Sequence, residues 1–527
     1  MKLRAGLLAQ RAALWYGDKL ALTCCHGAET TRSLSFAEMN AEANRVGSGL
    51  KALGVKPGDR MGLLGYNTAE IWLTWLGCEA HHIIRAVIHS HFEMATHVWS
   101  LNQMEASAFM FDTRFTDSVN EARAKLKTVR HYIAIGPNTP SWAISYADVI
   151  AQGSPENPGL DVDENTPNFL QLTSGTTGQP KPWVKTYRSW FDTIDENLHL
   201  LDTISPDVPA VGEGDVNLHF HALQWASGFQ TLYPYPIRGA RSILLDDEKF
   251  DPKLVVDIML REKVTGTMVP AALWGPILDE VEARGGIEHN LRRVILFFAI
   301  PEILTRTTQL LGPIWAHGFG STEQSASHTR LLPSDIIDHK ERLRSVGRPG
   351  SPFFELAIMD PDGHELPLGA IGEIAVRSPG ALGEYWGMPE RTREAYFPNN
   401  WFRPRDVGYL DEDGYLFYSD RATDAIKTED GVVYPHQVEE IVMRHQAVAM
   451  AGVVGLGGEV ATSIAVGILL RSGKTGGDAV AQEILELCQE LDAYKRPTKV
   501  FFRDKLPTVL SGAKVQRSAL RKQLEAL

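Results

Sequence analysis

The chain reads as an α/β protein in two parts. A large N-terminal domain holds two parallel-rich α/β layers and a β-rich subdomain; a small α+β domain follows. Three observations predict this. Apolar runs of strand length alternate with amphipathic stretches over residues 60–135 and again over 242–299, the pattern of βαβ units with helices on both faces of a parallel sheet. From Ser345 to Val376 glycines punctuate the chain and the alternation gives way to a small barrel or sheet. Finally, 527 residues are too many for one hydrophobic core.

Taken in order, residues 1–58 read as a helix and a hairpin. Arg60–Tyr66 is a short buried strand, and Asn67-Thr-Ala-Glu70 is a capping-box-like helix start. Ile71, Trp72, Trp75 and Leu76 then fall at helical spacing over Ala69–Glu79. Ile83–Ile88, Phe109–Phe111 and Val129–Ile135 are the next strands. Residues 152–166, rich in Pro, Gly and acid, read as a surface connection. A helix over Ser189–Leu201 precedes a polar stretch, 204–216. Alternation resumes with Ser242–Leu245, Pro252–Arg261, Gly266–Pro270, Ala272–Arg284 and Arg293–Ala299. In the last hundred residues, Gly452–Gly455 and Thr462–Leu470 read as strands and Ala479–Leu491 as an amphipathic helix.

Composition excludes several classes. Apolar content of 44% and charged content of 22% describe a soluble globular chain. A net charge of −13 argues against a general nucleic-acid or anionic-membrane binder. Cys24, Cys25, Cys78 and Cys488 show no CxxC pair, so reduced structural thiols are expected. No signal peptide and no apolar run of about twenty residues is legible, which points to the cytoplasm and no membrane span. His81, His82, His89, His91 and His97 crowd together, yet their spacing fits no common zinc pattern.

The chemistry-bearing stretch is Leu172-Thr-Ser-Gly-Thr-Thr-Gly-Gln-Pro-Lys181. Thr173, Ser174, Thr176 and Thr177 carry hydroxyls. Gly175 and Gly178 let the backbone turn tightly with its N–H groups inward, and Lys181 adds a charge. Such a loop suits a polyphosphate. It is not a Walker A loop, because no Gly-Lys-Ser/Thr closes it. Leu218-His-Phe-His-Ala-Leu-Gln-Trp-Ala-Ser-Gly228 and His317-Gly-Phe-Gly-Ser-Thr-Glu323 are the other two notable segments. His219 and His221 lie two apart and would share one face of a strand.

The run Thr173–Lys181 resembles the phosphate loop of the adenylate-forming superfamily, which holds acyl- and aryl-CoA synthetases, peptide-synthetase adenylation domains and firefly-type luciferases. The usual residue after the Lys is Gly; here it is Pro182. His317–Glu323 resembles the aromatic-Gly-x-Thr-Glu motif, about 145 residues downstream in the expected order. The resemblance runs from about residue 10 to 525 and implies a large ATP- and acid-binding domain, 1–421, with a small mobile domain, 422–527, beyond a hinge near Thr423.

The resemblance also assigns roles. Thr173, Ser174, Gly175, Thr176, Thr177, Gly178, Lys181, Gly320, Ser321, Asp406 and Arg421 would bind ATP. The family usually has Thr-Gly-Asp where this chain has Pro404-Arg405-Asp406; the Asp survives, and its carboxylate suits the ribose hydroxyls. Lys514, Thr322 and Glu323 would be catalytic, with Glu323 a hard oxygen ligand for Mg²⁺. His221, Trp225, Phe297, Phe298, Ala299, Gly318 and Phe319 would line the acyl pocket. Phe297-Phe298-Ala299 stands where relatives read Gly-Gly-Ala, and two phenyl rings there predict a short or flat pocket. Lys427 and Gly431 would face CoA. Ala513 is inserted where relatives read Ser/Thr-Gly-Lys.

The implied reaction activates a carboxylic acid as acyl-AMP and transfers it to the thiol of CoA. An aromatic or short-to-medium acid is expected, motivated by Trp225, Phe229, Phe297 and Phe298. One alternative is loading of a carrier protein in trans; another is a nucleotide-binding homologue without catalysis. A homodimer is left open, and nucleic acid and membrane are not expected partners.

Overall fold

The computed structural model describes all residues except 91, 174–178, 206, 247, 324–328, 352, 379, 381, 422–423, 472, 510–513 and 527. Contacts divide the chain into two units: Met1–Glu355 with Arg377–Phe402, and Leu356–Val376 with Arg403–Leu527.

In the first unit, two seven-stranded sheets form among the described residues. One runs, edge to edge, Pro182–Thr186, Pro167–Leu172, Ile84–Ile88, Arg60–Leu64, Ala108–Asp112, His131–Ile135 and Ile144–Ser145. All its neighbours are parallel except the first pair, which is an antiparallel hairpin. The other runs Trp315–His317, Arg293–Phe297, Gly266–Pro270, Val216–His219, Arg241–Leu245, Leu20–His26 and Glu29–Ser35, parallel save for the last pair. This is the doubly layered α/β arrangement that the alternation predicted. The strands are near-continuous apolar runs because helices cover both faces.

Two local expectations are corrected. Asn67 does not cap the helix Ala69–Ala80. Thr68 does, accepting from the Ile71 N–H at 3.5 Å. Asn67 is instead buried between the two sheets. Its amide donates to the carbonyls of His221 at 3.0 Å and Leu245 at 3.1 Å, and accepts from the Leu223 N–H at 3.0 Å. The connection 152–166 is not bare loop: Asp161–Asp163 pairs antiparallel with Lys2–Arg4.

The core between the sheets is aromatic. Phe229 stacks on Trp75 with centroids 3.7 Å apart and planes 9° apart, and Trp190 meets Trp75 edge-on at 6.2 Å. Burial of such rings contributes roughly 4–6 kcal/mol each, at about 25 cal/mol per Å². Phe229 therefore belongs to the core and carries no weight in the acid-size expectation. An ion pair lies in the same core. Arg85, the second residue of the strand Ile84–Ile88, meets Glu79 at 3.0 Å with both side chains almost fully buried. Tyr233 donates to Glu79 Oε2 at 2.5 Å, Tyr187 donates to its backbone carbonyl at 2.8 Å, and Arg85 donates to the Asn168 carbonyl at 2.8 Å.

In the second unit, Gly372–Arg377, Asp406–Leu410 and Leu416–Arg421 form an antiparallel run, with Glu355–Met359 beside the first. A three-stranded sheet, Val448–Leu456, Ser463–Leu470 and Lys499–Phe502, carries the helices Pro435–Val442, Asp478–Leu487 and Arg517–Glu525. No helix among the described residues is long and apolar enough to cross a membrane.

Candidate active site

The phosphate-loop segment is the turn of the hairpin Pro167–Leu172/Pro182–Thr186, in which Leu172 faces Pro182. Its base is closed twice. The Thr173 N–H donates to the Lys181 carbonyl at 3.0 Å, and the Lys181 N–H donates to Thr173 Oγ1 at 3.0 Å. Pro182 is tolerated in place of Gly because it opens its strand, where a missing N–H costs least. Its carbonyl still accepts from the Trp386 N–H at 2.8 Å. Ser174, Gly175, Thr176, Thr177 and Gly178 lie outside the described residues.

The second motif follows the strand Trp315–His317, next to Arg293–Phe297 at the carboxyl end of a parallel sheet, where open α/β sheets bind ligands. His317 is held on both sides: its backbone pairs with Leu331 and its Nδ1 lies 3.0 Å from the Leu296 carbonyl. Phe319 is buried, and its N–H donates to Thr329 Oγ1 at 2.9 Å. Gly318 is half-buried and Gly320 exposed, while Ser321, Thr322 and Glu323 are half-buried. Ser321 Oγ is enclosed and finds no partner among the described residues, a hydroxyl suited to a phosphate oxygen.

Glu323 is held by two residues that sequence reasoning missed. Tyr385 donates its hydroxyl to Oε1 at 2.7 Å. Lys185 donates to the Glu323 carbonyl at 2.8 Å and lies 3.5 Å from that of Gly380. Lys185 is buried at 1% exposure. Burial lowers the pKa of this ammonium, opposed by the charges of Glu323 and Glu196; burial likewise raises Glu196, opposed by Lys185. The available signal was a lysine inside the apolar strand Trp183-Val-Lys-Thr186.

The acyl-pocket residues separate. The strand Val216–His219 ends before His221, so the two histidines do not share a strand face, although their ring centroids lie 4.3 Å apart. His221 is buried, its Nε2 3.3 Å from Ser227 Oγ, and burial pushes it down to about 4, so it is neutral at pH 7. Trp225 is half-buried, its ring 4.3 Å from that of His89. Phe297 packs half-buried against the cluster of Leu200, Met268 and Ile295, and Ala299 is half-buried. Phe298 departs from the expectation of two filling rings: it is 59% exposed. Its φ of 55° is a left-handed value that the usual glycine adopts without strain. Among the clustered histidines, His97 Nε2 is bonded to the His89 carbonyl at 2.8 Å. No metal-holding group forms there among the described residues; His91 lies outside them.

Within the second unit, Asp406 and Arg421 face each other across two strands. Arg421 Nε meets Asp406 Oδ1 at 2.9 Å, and Asp406 is 3% exposed. Arg405 has φ 62°, a left-handed value, where the resemblance leads one to expect glycine. Lys427 is exposed on a hairpin, Ile426–Thr428 against Gly431–Val433. A Cβ at Gly431 would stand 3.1 Å from the Tyr494 ring, so glycine admits that ring. Lys514 begins a two-residue strand paired with Thr508–Val509. Arg517, just beyond, is tied to Glu439 at 2.7 Å and Asp424 at 3.0 Å. The inserted Ala513 and the expected hinge residue Thr423 lie outside the described residues.

Comparison with known proteins identifies the family. Residues 9–386 match the AMP-binding enzyme family, and residues 437–513 match the AMP-binding enzyme C-terminal domain. The chain belongs to that family, within the adenylate-forming superfamily. A long-chain-fatty-acid–CoA ligase of Thermus thermophilus is 28% identical over 85% of this chain and 82% of its own. A fatty acid–acyl-carrier-protein ligase of Streptomyces coeruleorubidus is 28% identical over 93% and 91%. The fold matches the crystal structure of an anthranilate CoA ligase in complex with anthranoyl-AMP, with TM-score 0.89 and 24% identity, covering 100% of this chain and 98% of that one.

Proposed function

We propose that this enzyme joins a carboxylic acid to CoA in two steps, through an acyl-adenylate. The observation that carries the reading is the twice-closed loop at Thr173 and Lys181, on the same hairpin whose Lys185 holds Glu323. A loop lined with hydroxyls and N–H groups grips phosphates, and a fixed carboxylate beside it suits a hard cation.

A carboxylate is a poor acyl donor because its leaving group would be oxide. Attack of its oxygen on the α-phosphorus of ATP expels pyrophosphate and leaves a mixed anhydride. Negative charge grows on the phosphate oxygens, so preorganised positive groups and donors must stabilise it. We assign this to the loop 173–181, Thr322 and Lys514. Gly320 and Ser321 border the nucleotide, and Asp406 with Arg421 holds the ribose. Among the described residues Tyr385 uses one of roughly four lone-pair sites on the Glu323 carboxylate, and we assign the others to Mg²⁺. When bound, that ion neutralises phosphate charge. His221, Trp225, Phe297, Phe298, Ala299, Gly318 and Phe319 are assigned to the acid's side, and Lys427 and Gly431 to that of CoA. An aromatic or short-to-medium acid remains our expectation, resting now on Trp225 and Phe297 alone. The functional boundary is placed at 421/422, the site of action in the cytoplasm.

The test is acid-dependent pyrophosphate release over a panel of carboxylic acids. Lys514→Ala is expected to abolish release, by about a hundredfold or more, while the folded state persists by circular dichroism. Undiminished release overturns Lys514's role. The Streptomyces relative favours a second acceptor, a phosphopantetheinylated carrier protein. Exclusive transfer to a carrier, with none to CoA, would replace the CoA reading.

A further inference from the structure

We infer that Tyr385 and Lys185 form a positioning clamp that fixes the Glu323 carboxylate for the divalent cation accompanying ATP. The inference rests on the proposed role of Glu323.

A carboxylate on a turn samples several rotamers, whereas a ligand oxygen has to be held within about half an ångström of its working place. Here both ends of Glu323 are tied: Tyr385 holds the side chain at 2.7 Å and Lys185 the backbone carbonyl at 2.8 Å. The two reach it through one element. The Val184 N–H donates to the Glu384 carbonyl at 2.9 Å and the Trp386 N–H to the Pro182 carbonyl at 2.8 Å, welding residues 182–184 to 384–386. Trp183 then packs edge-on against the Tyr385 ring at 4.9 Å. On the other side, Lys181 Nζ lies 5.6 Å from that ring's centroid. One phenol thus sits between the lysine of the phosphate loop and the carboxylate.

Lys185 is costly in this place. A buried ammonium loses several kcal/mol of hydration, and an apolar side chain of similar length would fill the same volume. What a methionine could not do is donate to the Glu323 and Gly380 carbonyls. The ammonium therefore does positional work on the segment that carries Glu323.

The experiment compares full-length Tyr385→Phe, Lys185→Met and Glu323→Gln with the parent by calorimetric binding of ATP with MgCl₂, ATP with EDTA, and AMP. Initial rates at varied ATP and varied acid accompany it. Tyr385→Phe is expected to weaken Mg–ATP binding about tenfold and raise KM for ATP similarly, with AMP binding and the acid's KM within twofold of the parent. Lys185→Met is expected to act in the same direction; should it fail to fold, Tyr385→Phe decides alone. If Glu323→Gln weakens Mg–ATP binding and Tyr385→Phe does not, the clamp is overturned and the role of Glu323 stands. If Tyr385→Phe weakens Mg–ATP and AMP equally, its role is merely structural and the clamp is again overturned. If Glu323→Gln leaves Mg–ATP binding unchanged, the reading of Glu323 fails and the clamp with it.

Discussion

At the scale of single residues, Phe298 and Arg405 show the backbone dictating to the side chain. Both stand where the family resemblance leads one to expect glycine, and both keep positive φ, 55° and 62°. A left-handed L-residue costs about 1–2 kcal/mol, against about 0.5–1 kcal/mol for the extra entropy of an unfolded glycine. Arg405→Gly is therefore expected to stabilise by about 0.5–1 kcal/mol, read as a higher denaturant midpoint with unchanged slope. His221 supplies a pH prediction. Its folded pKa, about 4, lies below the unfolded value of about 6.5, because burial penalises the charged ring. Between those values the unfolded chain binds the extra proton, so stability falls as pH drops through 6.5 and the loss levels off below 4. At about 1.4 kcal/mol per unit, the loss is about 3 kcal/mol. His221→Gln, which cannot titrate, should flatten the stability–pH curve in that window; an unchanged slope would refute the assignment.

At the scale of elements, the helix Ala69–Ala80 and the strand Ile84–Ile88 are locked by Glu79 and Arg85. Removing one partner strands a buried charge, whereas removing both takes away the charges and leaves only the neutral Tyr233 hydroxyl and Asn168 carbonyl without their partners. Glu79→Leu is expected to cost about 3–5 kcal/mol, and Glu79→Leu with Arg85→Met to recover part of it, the remainder being the unpaired Tyr233 hydroxyl and Asn168 carbonyl. Urea unfolding of the two singles and the double measures this coupling. The helix itself was legible, because Ile71, Trp72, Trp75 and Leu76 repeat at its period. The pairing was not: Arg85 within Ile-Ile-Arg-Ala-Val-Ile looks like an intruder until the fold brings Glu79, Asn168 and Trp75 around it.

At the scale of the whole first unit, Asn67 pins one sheet to the other through His221, Leu223 and Leu245, 154 to 178 residues away in sequence. Asn67→Ala leaves buried carbonyls and an N–H unpaired and is expected to cost about 2–4 kcal/mol, read from the thermal or urea midpoint; a change under about 0.5 kcal/mol would rule out the pin. The chain by itself determined the layered α/β architecture, the place of the phosphate loop and the order of the motifs; that the loop closes a hairpin came from the structure. Hydrophobic period and turn chemistry are local, and a run such as Thr173–Lys181 carries its own constraints. Only the tertiary structure decided that Phe229 is core, that the Phe298 ring faces solvent, and that Lys185 and Tyr385, two hundred residues apart, meet on Glu323. Such contacts join segments that no local pattern relates, and they form because packed sheets bring distant strands within hydrogen-bonding reach.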